Sequence, residues 1–186
     1  CLVLAGAGSG KTSVITRKIA YLIQQCEIPA RHIAALTFTN KAAMEMSERI
    51  AKRMDKAPKG LTIATFHSLG LRMVREEAKT LGYKPGFSIF DSADCLGIIN
   101  ELSGTTDKAK LRWLQTTISL WKNALLSPVQ AAETAKDEEE AVAARIYRDY
   151  ANSLHAYQAV DFDDLIRLPV TLLQDNAEPG KMYLHL

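Results

Sequence analysis

The stretch Cys1-Leu2-Val3-Leu4-Ala5-Gly6-Ala7-Gly8-Ser9-Gly10-Lys11-Thr12 most narrows what this chain can fold into. It reads as a short apolar strand, a glycine-rich turn and the start of a helix, the layout of a phosphate-binding P-loop. The glycines let the backbone curl with its N–H groups turned into a concavity that holds phosphate oxygens. The helix that follows adds unpaired N–H groups and the positive end of its dipole. Lys11 would reach the β- and γ-phosphates as a point charge. Thr12 would offer a hydroxyl to Mg²⁺, a cation that prefers hard oxygen ligands. One position departs from the usual spacing, because Ala5 stands where the first glycine is expected. That change is mild, since the later glycines supply the tight backbone path. The competing reading is a flexible turn with a chance lysine, and the flanking strand and helix argue against it. After the turn, Ile15, Ile19, Leu22 and Ile23 share one helical face.

A chain of 186 residues suits one domain, or one domain with a sizeable insertion. Its 47% apolar and 24% charged residues are those of a globular protein. No apolar run approaches the ~20 residues that span a bilayer, so no membrane partner is expected. No signal peptide is visible, and the start, in mid-strand and without methionine, reads as a truncation. The net charge of +2 is too small to argue for nucleic acid by itself. Cys1, Cys26 and Cys95 lie far apart, and His32, His67, His155 and His185 do not cluster. A structural zinc site is not expected, and a reducing, cytoplasmic setting is.

The chain then alternates. Pro29 breaks the first helix, and His32–Phe38 reads as an apolar strand suited to a buried parallel sheet. Thr39 or Asn40 can cap a helix carrying Met46, Ile50 and Met54. A strand over Leu61–Phe66 leads through His67-Ser68 into a helix that Gly82 is expected to close. Strand–helix alternation of this kind predicts a parallel sheet with right-handed crossovers and helices on both faces. Ligands of such sheets bind outside the carboxyl ends of the strands. The P-loop, the turn Thr37-Phe38-Thr39-Asn40-Lys41 and the turn Thr65-Phe66-His67-Ser68 are all predicted at that edge.

From about residue 84 to 159 nearly everything reads helical. Phe87–Phe90 reads as a short extended piece, with Asp91 or Ser92 capping the next helix. Leu111, Leu114, Ile118, Trp121 and Leu125 form one apolar stripe. Ser127-Pro128 reads as an N-cap and first helical position, and Val142, Ile146, Tyr150, Leu154 and Tyr157 mark a long helix. A helix is expected from Val160, with acids in its first turn, and Pro169 is expected to kink or interrupt it. The chain's last residues look like a strand just begun.

Two turns carry a chemistry that single-stranded nucleic acid needs. Each offers a ring for a base to stack on, and donors for phosphates. For Thr37–Lys41 the alternative is a capped helix with a buried Phe38. For the second turn it is a histidine bound to a nearby carbonyl. Asp161, Asp163 and Asp164 follow no apolar strand, so they are not expected to hold Mg²⁺, though they can orient neighbouring loops. No Asp-Glu pair ends a strand within these residues.

Ala5–Thr12, Leu36–Ala43, Thr65–Ser68 and Asp161-Phe162-Asp163-Asp164-Leu165 occur in order. Together they resemble motifs I, Ia and Ib and the later Asp-Phe-Asp-Asp element of superfamily 1A DNA helicases of the UvrD/Rep/PcrA family. Arg31–Leu36 and Trp121-Lys122-Asn123 bring the resemblance nearest to the Rep branch. The resemblance implies an α/β fold. Residues 1–83 and 160–186 would belong to a RecA-like domain 1A, and residues 84–159 to a helical inserted subdomain 1B. It implies ATP and Mg²⁺ as cofactors, with Ala7, Gly8, Ser9, Gly10, Lys11, Thr12 and Ser13 on the phosphates. Lys11 and Thr12 would be catalytic, with Thr12 on Mg²⁺. Single-stranded DNA would meet Thr37, Phe38, Thr39, Asn40, Thr65 and His67, and replication or repair proteins would be further partners. The implied activity is ATP-driven 3′ to 5′ translocation on DNA. The family's upstream glutamine motif, its Asp-Glu-x-x-Gln motif and its second RecA-like domain are not in these residues, so this fragment alone is expected to be inactive. Two other readings compete. A P-loop kinase would need an arginine-rich lid, and no arginine cluster is seen in the insertion. A DNA-binding module with a vestigial P-loop would not need nucleotide at all.

Overall fold

The computed structural model describes residues 10–175. These residues fall into two compact units that divide between Leu69 and Gly70. The strand expected at the start of the chain, the turn through Ser9 and the strand expected at its end lie outside the described residues.

In the first unit, helix α1 (Lys11–Gln24) buries Thr16, Ile19 and Ala20. The apolar face was expected to include Ile15, which is instead exposed. Thr16 can take the buried position because its Oγ1 donates to the Ser13 carbonyl at 3.0 Å, leaving no unmet hydroxyl. A short 3₁₀ turn, Ala30–His32, follows Pro29 and removes His32 from the expected strand. Strand β1 (Ala34–Thr37) is therefore shorter, and it stops before Phe38. Helix α2 (Asn40–Arg53) buries Met46 and Ile50, which join Ile19 and Ala35 in one core. Strand β2 (Thr62–Thr65) pairs with β1 in parallel, Ala34 opposite Thr62 and Thr37 opposite Thr65.

Glu27, between α1 and Pro29, holds an exposed left-handed backbone with φ 55°. That conformation costs an L-residue about 1–2 kcal/mol, part of which glycine returns as unfolded-state entropy. Glu27→Gly should stabilise the chain by roughly 0.5–1 kcal/mol in chemical denaturation. A loss of stability would show that the Glu27 side chain contributes more than its backbone costs.

Helix α3 (Phe66–Glu76) ends earlier than expected. Five turn residues separate it from Gly82, whose φ is 78°. Strand β3 (Ser88–Ile89) pairs in parallel with β4 (Ala159–Val160). Between them stand four helices with side-chain caps. Asp91 and Asp94 form a reciprocal capping box on α4 (Ser92–Ser103). Asp107 caps α5 (Lys108–Asn123), Ser127 caps α6 (Pro128–Glu133) and Asp137 caps α7 (Glu138–Ala156).

Their shared core contains Ile99, Leu114, Ile118, Tyr147, Tyr150 and Leu154. Two expected stripe members fall outside it. Leu125 lies past the end of α5 with φ 60°, and Tyr157 lies past the end of α7; both are exposed. The buried face of α5 closes instead on Lys122.

Helix α8 (Asp164–Asp175) begins later than expected, because Ala159 and Val160 are fully buried in the β4 pairing. Nor does Pro169 interrupt it. The N–H that proline lacks would have bonded the carbonyl of Leu165, four residues back. That carbonyl lies instead over Gly70 of α3, only 1.7 Å from where a Cβ would stand. Around this contact Val74, Val160, Leu165 and Leu168 form a second core. No helix among the described residues is long and apolar enough to cross a membrane.

Candidate functional site

Both candidate turns leave the carboxyl ends of paired strands. Because Thr37 stands opposite Thr65, the two chains emerge side by side. Each threonine is buried and spends its hydroxyl on the turn that follows it. Thr37 Oγ1 donates to the Thr39 carbonyl at 3.0 Å. Thr65 Oγ1 accepts the Ser68 N–H at 3.1 Å and shares a 2.8 Å hydrogen bond with the Ser68 hydroxyl. Thr39 caps α2, its Oγ1 accepting the Ala42 N–H at 3.1 Å. The helix cap in one alternative is therefore real, but the buried ring is not. Phe38 is 93% exposed. Its ring centroid lies 6.0 Å from that of Phe66, with the planes tilted by 51°. Phe66 is itself 48% exposed. Asn40 and His67 are exposed in the first turns of α2 and α3.

Two neighbouring rings, one almost fully and one half exposed, form a surface on which a planar group can stack. Phe66 is the ring the sequence offers in the second turn, though it is not among the residues expected to meet DNA. The signal is that each strand ends in a Thr followed by a Phe, Thr37-Phe38 and Thr65-Phe66, and the parallel register sets the two threonines opposite each other.

Of the P-loop residues, Ala7, Gly8 and Ser9 lie outside the described residues. Gly10 precedes α1 with φ 80° and ψ 19°, a left-handed conformation that glycine adopts without strain. Nothing stands within 4 Å of where its Cβ would be. Lys11 is exposed in the first turn of α1, with Thr12 and Ser13 half-buried behind it. That turn carries no acidic residue, and Gly10 offers no capping side chain, so the side chains leave the helix's positive end uncompensated.

In the second unit the aspartates after β4 turn inward. Lys122 Nζ, 1% exposed, donates to Asp161 Oδ2 at 2.6 Å and to Asp164 Oδ2 at 2.9 Å. Asp161 also accepts from the Tyr150 hydroxyl at 2.8 Å and from the Asp164 N–H at 2.9 Å. Arg167 donates through Nε and Nη2 to Asp164 Oδ1 at 3.0 and 2.9 Å. Two acids and two cations thus balance. Burial and the neighbouring Asp164 charge push the Asp161 carboxyl above its ordinary range, against the pull of Lys122. For Asp164 burial acts in the same sense, but Lys122 and Arg167 outweigh it and hold the carboxyl low. Burial alone would lower the Lys122 ammonium, yet the two carboxylates outweigh it and raise the group above its ordinary range. These aspartates orient the turn into α8, and an ammonium occupies the space between them. Asp163 faces outward and accepts from Asn123 Nδ2 at 3.1 Å.

The model of the UvrD/REP helicase N-terminal domain matches residues 1–184. The chain is 51% identical over 187 aligned residues to the ATP-dependent DNA helicase Rep of Escherichia coli strain K12, covering 98% of this chain and 28% of that protein. Identity is 52% to the Rep of Salmonella typhimurium strain LT2, over 96% of this chain and 27% of the relative. It is 37% to the ATP-dependent DNA helicase PcrA of Staphylococcus aureus strain Mu50, over 98% and 26%. The chain spans a little over a quarter of the length of these relatives. With the match running almost end to end at such identities, this chain belongs to the UvrD/REP helicase family.

Proposed function

We propose that this chain is the N-terminal part of an ATP-dependent helicase that moves 3′ to 5′ on single-stranded DNA. In this reading residues 1–83 and 160–186 form the RecA-like domain 1A, and residues 84–159 form the inserted subdomain 1B. The packing of Val74 with Val160, Leu165 and Leu168 supports joining the stretches on either side of the insertion.

The observation that carries the DNA assignment is the pair of exposed rings, Phe38 and Phe66, at aligned strand ends. A base would stack on the Phe38 ring, while Thr39, Asn40 and His67 would offer polar groups to the sugar-phosphate chain. Thr37 and Thr65, both buried, position these turns from beneath. At the start of α1 the chemistry fits a triphosphate with its metal. The first-turn N–H groups, the Lys11 ammonium and the Thr12 hydroxyl are the donors and hard oxygen such a ligand requires. Residues 7–13 would hold ATP, with Mg²⁺ on Thr12; bound together, they would supply the phosphoryl group whose cleavage drives movement.

The test uses the full-length protein. Phe38→Ala removes almost no buried surface, so thermal stability should not change. Its affinity for a fluorescent oligo(dT) should fall by about 1–3 kcal/mol, roughly 5- to 150-fold. Lys11→Ala should weaken binding of a fluorescent ATP analogue by at least about tenfold while leaving oligo(dT) affinity in place. An unchanged oligo(dT) affinity in Phe38→Ala would remove the DNA assignment of these turns.

A further inference from the structure

A second cationic feature lies on the first unit, away from the residues used above except Ser13. A cleft of about 370 Å³ between α1 and α2 is lined by Ser13, Thr16, Arg49, Lys52 and Arg53. Every lining residue is polar, three are cations and none is acidic. Arg49, Lys52 and Arg53 are spaced i, i+3 and i+4, which puts them on one face of α2. Like charges so placed repel one another. A cation in the last turn does favour the helix dipole, but one would be enough for that. Arg49 approaches Glu45 at 3.8 Å, a long contact between half-exposed side chains. Among the described residues Lys52 and Arg53 make no ion pair. The α1 side of the cleft adds hydroxyls. Thr16 spends its own on the Ser13 carbonyl, and Ser13 lines the cleft beside it.

We propose that this cleft is an anion site that takes phosphate oxygens, separate from the P-loop. Guanidinium groups match phosphate geometry with two parallel hydrogen bonds, and a lysine adds a point charge. Such oxygens come from a nucleic-acid backbone or from a small phosphate compound. The proposal stands whether or not the Lys11 and Phe38 assignments do.

The experiment is made in the full-length protein carrying Lys11→Ala, which silences the P-loop. Lys52→Ala/Arg53→Ala is compared with Lys56→Ala/Lys59→Ala, which removes the same charge from residues that do not line the cleft. One probe is fluorescent oligo(dT) read by anisotropy across a KCl series. The other is inorganic tripolyphosphate read by thermal protection. If the ligand is a nucleic-acid backbone, the cleft variant should bind oligo(dT) roughly three- to tenfold more weakly. Its log K against log salt slope should be shallower by about 0.7 for each lost contact. If the ligand is a small phosphate compound, oligo(dT) binding should hold while tripolyphosphate protection is lost. In both cases the control pair should behave like the parent. Equal behaviour of the two double variants with both probes would overturn the proposal.

Discussion

Replacing Lys122 by methionine should cost about 3–5 kcal/mol of folding stability. Methionine nearly matches lysine in length, so the loss is electrostatic and not a packing defect. The substitution leaves Asp161 and Asp164 buried, with Arg167 the only cation among the described residues bonded to either. Arg167 bonds Asp164 and not Asp161, so among the described residues Asp161 keeps the Tyr150 hydroxyl and the Asp164 N–H. At about 2–4 °C per kcal/mol for a chain of this size, Tm should drop by roughly 6–20 °C. Adding Asp161→Asn to Lys122→Met should recover part of the loss, because the stranded charge goes with it. A drop in stability below about 1 kcal/mol for the single variant would show that water reaches the cluster.

The same network gives an alkaline dependence. Lys122 is raised in the folded chain. Its contribution is therefore complete below the unfolded lysine value of about 10.4. It is lost as pH rises through the higher folded value, since only the folded chain still holds the proton in that window. Lys122→Met should flatten this part of the stability profile, measured as denaturation midpoint against pH.

Gly70→Ala should also destabilise the chain strongly, against the usual trend. In a helix interior alanine is favoured over glycine by about 1 kcal/mol. Here the new Cβ would stand 1.7 Å from the Leu165 oxygen and 2.9 Å from its carbonyl carbon. Both are backbone atoms of a neighbouring helix, so no side chain can swing aside. The helices must separate, and with them Val74, Leu165 and Leu168. We expect a loss of at least about 3 kcal/mol net of the helix gain, read by urea denaturation. Gly97, also inside a helix, meets nothing within 4 Å and is the control. Gly97→Ala should be neutral or stabilising. If both variants gain stability, the carbonyl-over-glycine contact is not a constraint.

How far the sequence reached can be judged from these same places. Caps were legible because they are local: Thr39, Asp91 and Ser127 sit where short polar side chains can reach the next N–H groups. The parallel pairing of β1 and β2 followed from strand–helix alternation. The apolar stripes were legible until they ran off their helices, at Leu125 and Tyr157. What was missed needed a partner distant in the chain. Lys122 sits four residues after Ile118 in the buried stripe, where a lysine reads as a surface residue, and its carboxylates lie 39 and 42 positions onward. Pro169 reads as a helix breaker until Gly70 is seen receiving the carbonyl it leaves unbonded. Ile15 lost its expected place to Thr16 through one hydroxyl satisfied inside its own helix.

The alignment of Thr37 with Thr65 makes these two segments sensitive to length before composition. Strand side chains alternate in direction, so an insertion or deletion of one residue in β2 would turn Phe66 from solvent toward the core and bring Thr65 outward. Swapping Ala35 or Ile63 for another aliphatic residue would disturb packing alone. An editing experiment along this edge would therefore find that many letters can change, while the number of letters cannot.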